Sequence, residues 1–117
     1  MSTLVWQAPL TYRSAGDEAA FFYWLQSIPS VLAAQGVGRE LHIALRSRRL
    51  SQVSLREFIA LYSRFGGNPR ELAQFENESN RTWFRSPAAV WYGGVFGEKP
   101  NPSIERTRLR RAAHVKR

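Results

Sequence analysis

Leu41, Ile43 and Leu45 alternate with His42, Ala44 and Arg46, and this two-residue period lies between two stretches of helical period. A strand turns successive side chains to opposite faces, so one face here is apolar and the other is not. Gln35-Gly36-Val37-Gly38 precedes it and offers two glycines for positive φ. Residues 30–47 are therefore expected to form a β-hairpin with its turn at that tetrapeptide. Two strands alone are marginal. Either a helix covers the apolar face or a partner chain extends the sheet.

The flanking segments supply the helices. Ser14 opens the first, with Asp17 three residues on, where a carboxylate favours the positive helix start. Phe21, Trp24, Leu25 and Ile28 then form one apolar stripe, and Pro29 stops the helix near Ser27. After the hairpin, Ser54 and Glu57 read as a capping box, with Val53 stapled onto Phe58. Leu55, Phe58, Ile59, Tyr62 and Phe65 form the buried stripe, and Gly66 or Gly67 supplies the left-handed end. Asn68-Pro69-Arg70-Glu71 starts a further helix, with Leu72, Phe75 and later Trp83 facing inward. Ser86-Pro87 interrupts it. A short helix carrying Val90, Trp91 and Tyr92 follows and ends at Gly93-Gly94, and Val95-Phe96 tucks back onto the core. Residues 3–13 are rich in β-formers and predict a short strand, which Pro9 restricts to an edge.

The order is (β)-α-β-β-α-α-α. Strands and helices are segregated, which argues for α+β: a small antiparallel sheet packed against three to four helices. Residues 1–98 are expected to form a single domain.

Aromatic residues make up 13% of the 117 residues, more than one small core readily hides. Some are expected to line a pocket or an interface. The chain has no cysteine, which excludes disulfides, thiolate nucleophiles, Cys-based zinc sites and iron–sulfur clusters. No histidine pair has metal-ligand spacing, so neither a metal nor a cofactor is expected. The N-terminus lacks the pattern of a signal peptide, and no apolar run approaches the ~20 residues that cross a bilayer. A cytoplasmic protein with no membrane partner is expected.

The formal charge is +8, but residues 100–117 carry six Lys/Arg against one Glu. The basic excess therefore belongs largely to the tail, which weakens the inference from charge to nucleic acid. Residues 99–117 have two prolines, many charges and few apolar side chains, the composition of a disordered segment. Within it, Pro100-Asn101-Pro102-Ser103-Ile104-Glu105-Arg106-Thr107, followed by Ala112-Ala113-His114-Val115, resembles the C-terminal ending shared by many otherwise unrelated bacterial proteins from integron gene cassettes. That ending is similar to what results when a reading frame runs into the cassette's recombination site. The resemblance covers about the last 18 residues and carries no functional residue. It implies a bacterial, mobile-cassette origin and a tail shaped by selection on DNA. Cassette products include resistance factors, toxin–antitoxin pairs and defence proteins. Residues 15–97 also resemble small bacterial proteins of helix–hairpin–helix order ending in a Trp-rich segment, a likeness that implies no activity.

Candidate chemistry is sparse. His42 is the one histidine of the expected fold and offers a general base, although a strand residue on the polar face explains it as well. Asp17, Glu57 and Glu71 are accounted for by helix starts, and Glu76 and Glu78 diverge on a helix. Gly36-x-Gly38 lacks the third glycine of a phosphate loop. Arg46, Arg48 and Arg49 form the densest charge within the domain and are candidate phosphate ligands, extended by Arg70, Arg81 and Arg85, with Trp83 and Phe84 as stacking faces. A solvated loop explains them too. The Gly66-Gly67-Asn68 joint raises a helix-turn-helix, with Arg70 and Gln74 facing bases, against which Glu71 would repel phosphate. Trp83, Phe84, Trp91, Tyr92 and Phe96 are the densest aromatic group, either core or a ligand and interface surface.

The reading favoured is a non-enzymatic interaction module. It would self-associate, as a homodimer first of all, through aromatic and hairpin-edge surface, and bind a protein or small-molecule partner. A nucleic-acid-binding accessory protein using Arg46, Arg48 and Arg49 is the alternative. A small enzyme with a site near His42 comes third.

Overall fold

A computed structural model of the chain describes residues 2–7 and 12–97. The basic segment 99–117, with its cassette-like ending, and Pro9 lie outside the described residues.

Among those residues the fold is α+β, with a three-stranded antiparallel sheet and the helices on one of its faces. β3 (Glu40–Leu45) is the central strand, between β1 (Ser2–Trp6) and β2 (Val31–Val37). β1 pairs Leu4 with Ile43 and Trp6 with Leu41, so the apolar faces of the two strands coincide. The expected N-terminal strand thus supplies the third member that a bare hairpin needs.

The hairpin turn falls later than the sequence reading places it. Gln35, Gly36 and Val37 belong to β2, and the two-residue loop is Gly38-Arg39. Gly38 has φ 62° and Arg39 does not share its positive φ, the pattern of a type II′ turn. β2 also carries a bulge between Val31 and Ala33. Val31 opposes Leu45 and Ala34 opposes Ile43, while Leu32 is left outward. The extra residue breaks the two-residue period.

Ser14 caps α1 (Ala15–Ser27), accepting from the Asp17 amide at 3.1 Å, and Asp17 accepts in turn from the Arg13 amide at 3.0 Å. Phe21, Leu25 and Ile28 are buried against the sheet and α2. α2 (Gln52–Phe65) begins earlier than the sequence reading has it. Its cap is Ser51, whose hydroxyl accepts from the Ser54 amide at 3.1 Å. Ser54 is inside the helix, fully buried, and takes a hydrogen bond from Ser30 at 2.8 Å. Val53 is 62% exposed and staples nothing. Leu50 and Leu55, both buried, occupy the staple positions instead. Glu57 does not cap; its carboxylate accepts from Trp24 Nε1 at 2.6 Å and ties α1 to α2. Gly66, φ 80°, ends α2 as expected.

The C-terminal third is more broken than the sequence suggests. Asn68 caps a 3-10 helix, Pro69–Phe75, rather than a long α-helix. Leu72 and Phe75 are buried as expected. Two single-turn helices follow, α3 (Arg81–Phe84) and α4 (Tyr92–Phe96). Gly93 and Gly94 lie within α4 rather than ending it, and Gly97, φ 64°, is its cap. A Cβ on Gly94 would meet Pro69 Cγ at 3.0 Å, so the glycine lets α4 lie close on the 3-10 helix. Val95 returns to the core.

Candidate functional site

The aromatic residues singled out from sequence do come together, but they divide between core and surface. Phe84 is fully buried and packs edge-on against Phe96, with ring centroids 5.0 Å apart. Trp83, Trp91, Tyr92 and Phe96 are half-buried. Trp83 and Trp91 meet at 83° with centroids 6.1 Å apart. Trp91 Nε1 donates to the Phe84 carbonyl at 2.7 Å, which fixes that indole. Arg56, on α2, places its guanidinium carbon 4.5 Å from the Trp83 ring centroid and 5.5 Å from that of Trp91.

Trp91 also lines a cleft of about 250 Å³ between α2 and the C-terminal segment. Ile59, Tyr62, Pro69, Val90 and Gly94 complete most of its wall. Val90 is 95% exposed, the largest exposure among the bulky apolar residues described. An aliphatic side chain held in water beside an apolar hollow marks a surface available to a partner.

The arginines are largely engaged with their own chain. Arg46 donates to the Pro29 carbonyl at 3.1 Å, Arg48 to the Gln74 carbonyl at 3.3 Å and Arg49 to Ser79 Oγ at 2.9 Å. They clasp the loop after β3 onto α1's end and onto the C-terminal segment. Arg81 and Arg85 each pair with Glu76 at 2.7 Å. The Arg81 hydrogen bond, with Arg85 beside it, holds Glu76 below the usual carboxylate range. Phe84 offers no stacking face, and Arg56 stands over that of Trp83. The segment after Gly66 is a 3-10 helix, and Gln74 turns its amide back onto the Glu71 carbonyl at 2.7 Å. It does not form the recognition helix of a helix-turn-helix.

His42 sits on the sheet face opposite the helices and bonds Glu40 at 2.8 Å. Three acids tie the fold together: Asp17 takes the Arg13 amide ahead of α1, Glu57 holds Trp24, and Glu71 takes the Tyr62 hydroxyl at 2.7 Å and the Gln7 amide at 3.2 Å. Burial first, and then the bond to Glu71, pushes the Tyr62 phenol far above its ordinary value. Among the described residues no group of acids and histidines has the arrangement to hold a metal ion. No helix among them is long and apolar enough to cross a membrane.

A second surface comes from the sheet. Among the described strands β2 hydrogen-bonds β3 alone, and Leu32 and Val37 stand 43% and 45% exposed along it. Sequence reasoning missed Arg56, which it did not single out, and placed Ile59 in the core. The available signal was the spacing of Arg56, Ile59 and Ser63, which share one side of α2.

No family model, no curated protein and no solved structure matches the chain.

Proposed function

We propose that this chain is a non-enzymatic interaction module that pairs with a second copy of itself through β2 and takes a partner in the aromatic cleft. The open edge of β2 carries the reading. Val31–Val37 runs seven residues without a charged side chain, with one edge unpaired among the described strands. Natural edges are usually blunted by charge, proline or cover; here the bulge at Leu32 is the device present. Two copies related by a twofold axis would join their β2 strands and continue one sheet across the pair. Three further features support a binding role: the apolar cleft, the exposed Val90 beside it, and acids engaged in structural contacts. A mobile-cassette origin, implied by the C-terminal ending, suits a small self-contained accessory protein.

The test is the mass of the full chain in solution, by light scattering or sedimentation over a wide concentration range. The wild type is expected as a dimer. Leu32→Lys with Val37→Lys places charge along the edge, at exposed positions whose replacement leaves the core intact, and is expected to give a folded monomer. A wild type that stays monomeric at the highest attainable concentration overturns the proposal. So does a doubly substituted chain that remains dimeric.

A further inference from the structure

Arg56 is exposed, yet its guanidinium is held in one place. It lies in the corner of two indoles that meet at 83°, and one of them is pinned by its own hydrogen bond to Phe84. Cation–π stacking of this kind restrains the long side chain. The guanidinium offers a planar fork of N–H donors that matches the geometry of a carboxylate. Among the described residues Arg56 has no hydrogen bond and no ion pair; the neighbouring Glu57 turns its carboxylate to Trp24. A guanidinium with its rotamer already fixed loses little entropy when it takes a carboxylate.

The corner and the cleft meet at one residue. Trp91 is a wall of both. Ile59 and Ser63 line the cleft from α2, and Arg56 precedes Ile59 by three residues, on the same side of the helix. Arg56 thus lies about one turn nearer the start of α2 than the cleft's own lining residues. The lining is dominated by carbon from Ile59, Pro69, Val90 and Trp91. A cleft of about 250 Å³ lies at the small end of ligand pockets, which suits a short tail.

We propose that the cleft and Arg56 together bind a small monocarboxylate with a short apolar tail. The tail lies against Ile59, Val90 and Trp91, and the carboxylate meets the guanidinium edge. One unpaired cation matches one negative charge, which favours a carboxylate over a doubly charged phosphate monoester. This inference rests on the cleft as a binding surface and is independent of pairing through β2.

Titration of the full chain with octanoate and with 1-octanol, followed by amide and indole NMR shifts, separates the two ideas. Octanoate is expected to shift Ile59, Val90 and the Trp91 indole, and to bind about tenfold more tightly than octanol. Arg56→Gln is expected to reduce octanoate to the affinity of octanol and leave octanol unchanged. Equal affinities in the wild type overturn the role of Arg56 while the cleft stands. Binding of neither probe overturns both the inference and the cleft. Octanoate binding that survives Arg56→Gln at full strength places the anion elsewhere and overturns the inference.

Discussion

Tyr62 joins α2 to both β1 and the 3-10 helix. Its ring stacks on Trp6 of β1, with centroids 3.9 Å apart at 25°, and its hydroxyl donates to Glu71 in the 3-10 helix at 2.7 Å. Glu71 in turn holds the Gln7 amide at the end of β1. Gly67 closes over the stack: a Cβ there would lie 2.4 Å from Tyr62 Cδ2 and 2.6 Å from Trp6 Cζ2, so only a glycine fits without displacement. The buried phenol gives this node a pH dependence. Its folded value is raised above the ordinary 10.0, so below that pH both states keep the proton and the contribution is complete. Above it the unfolded chain releases the proton while the folded chain retains it, and stability falls as pH rises. Thermal melts of the wild type are therefore expected to drop from about pH 10 upward, and Tyr62→Phe to flatten that slope. Equal alkaline slopes in the two chains would contradict this account of Tyr62.

The elements legible in sequence are those whose period survives folding. α1, α2 and β3 each present a stripe or alternation, and each is found on its pattern, with α2 opening three residues sooner. β2 is obscured by its bulge, which puts Leu32 and Ala33 outward in succession, and by Gly36, which opposes Leu41 rather than making the turn. The start of α2 is ambiguous because two serines three apart both satisfy a capping rule, and only the contacts of Ser54 with Ser30 decide between them. Ser51→Ala is expected to cost about 1 kcal/mol in denaturant unfolding, as loss of a helix cap does. A neutral result would return the cap to another residue. The C-terminal segment has no period to read, because tertiary contacts set it: Gly94 on Pro69, and Trp91 on the Phe84 carbonyl. The candidate site shares that fate. Its aromatic composition was visible in sequence, but the division into a buried Phe84 and an exposed corner around Arg56 depends on chain segments that only the fold brings together.

At the scale of the molecule, the sheet has one face under the helices and one face, with Thr3, Gln35, His42 and Ala44, turned away from them. The arginines of the loop after β3 bind the fold together, so the basic total of +8 is a poor guide to a partner. The central claim is that β2 is a pairing edge. It is tested most directly by hydrogen exchange of the β2 amides in the full chain across a dilution series. In a lone protomer the outward amides of Val31–Val37 exchange as an open edge; in a pair they are hydrogen-bonded and slow. The account predicts that β2 protection rises with protein concentration, is lost in the Leu32→Lys, Val37→Lys chain, and leaves β3 unchanged. Exchange across β2 that is the same at every concentration would contradict it.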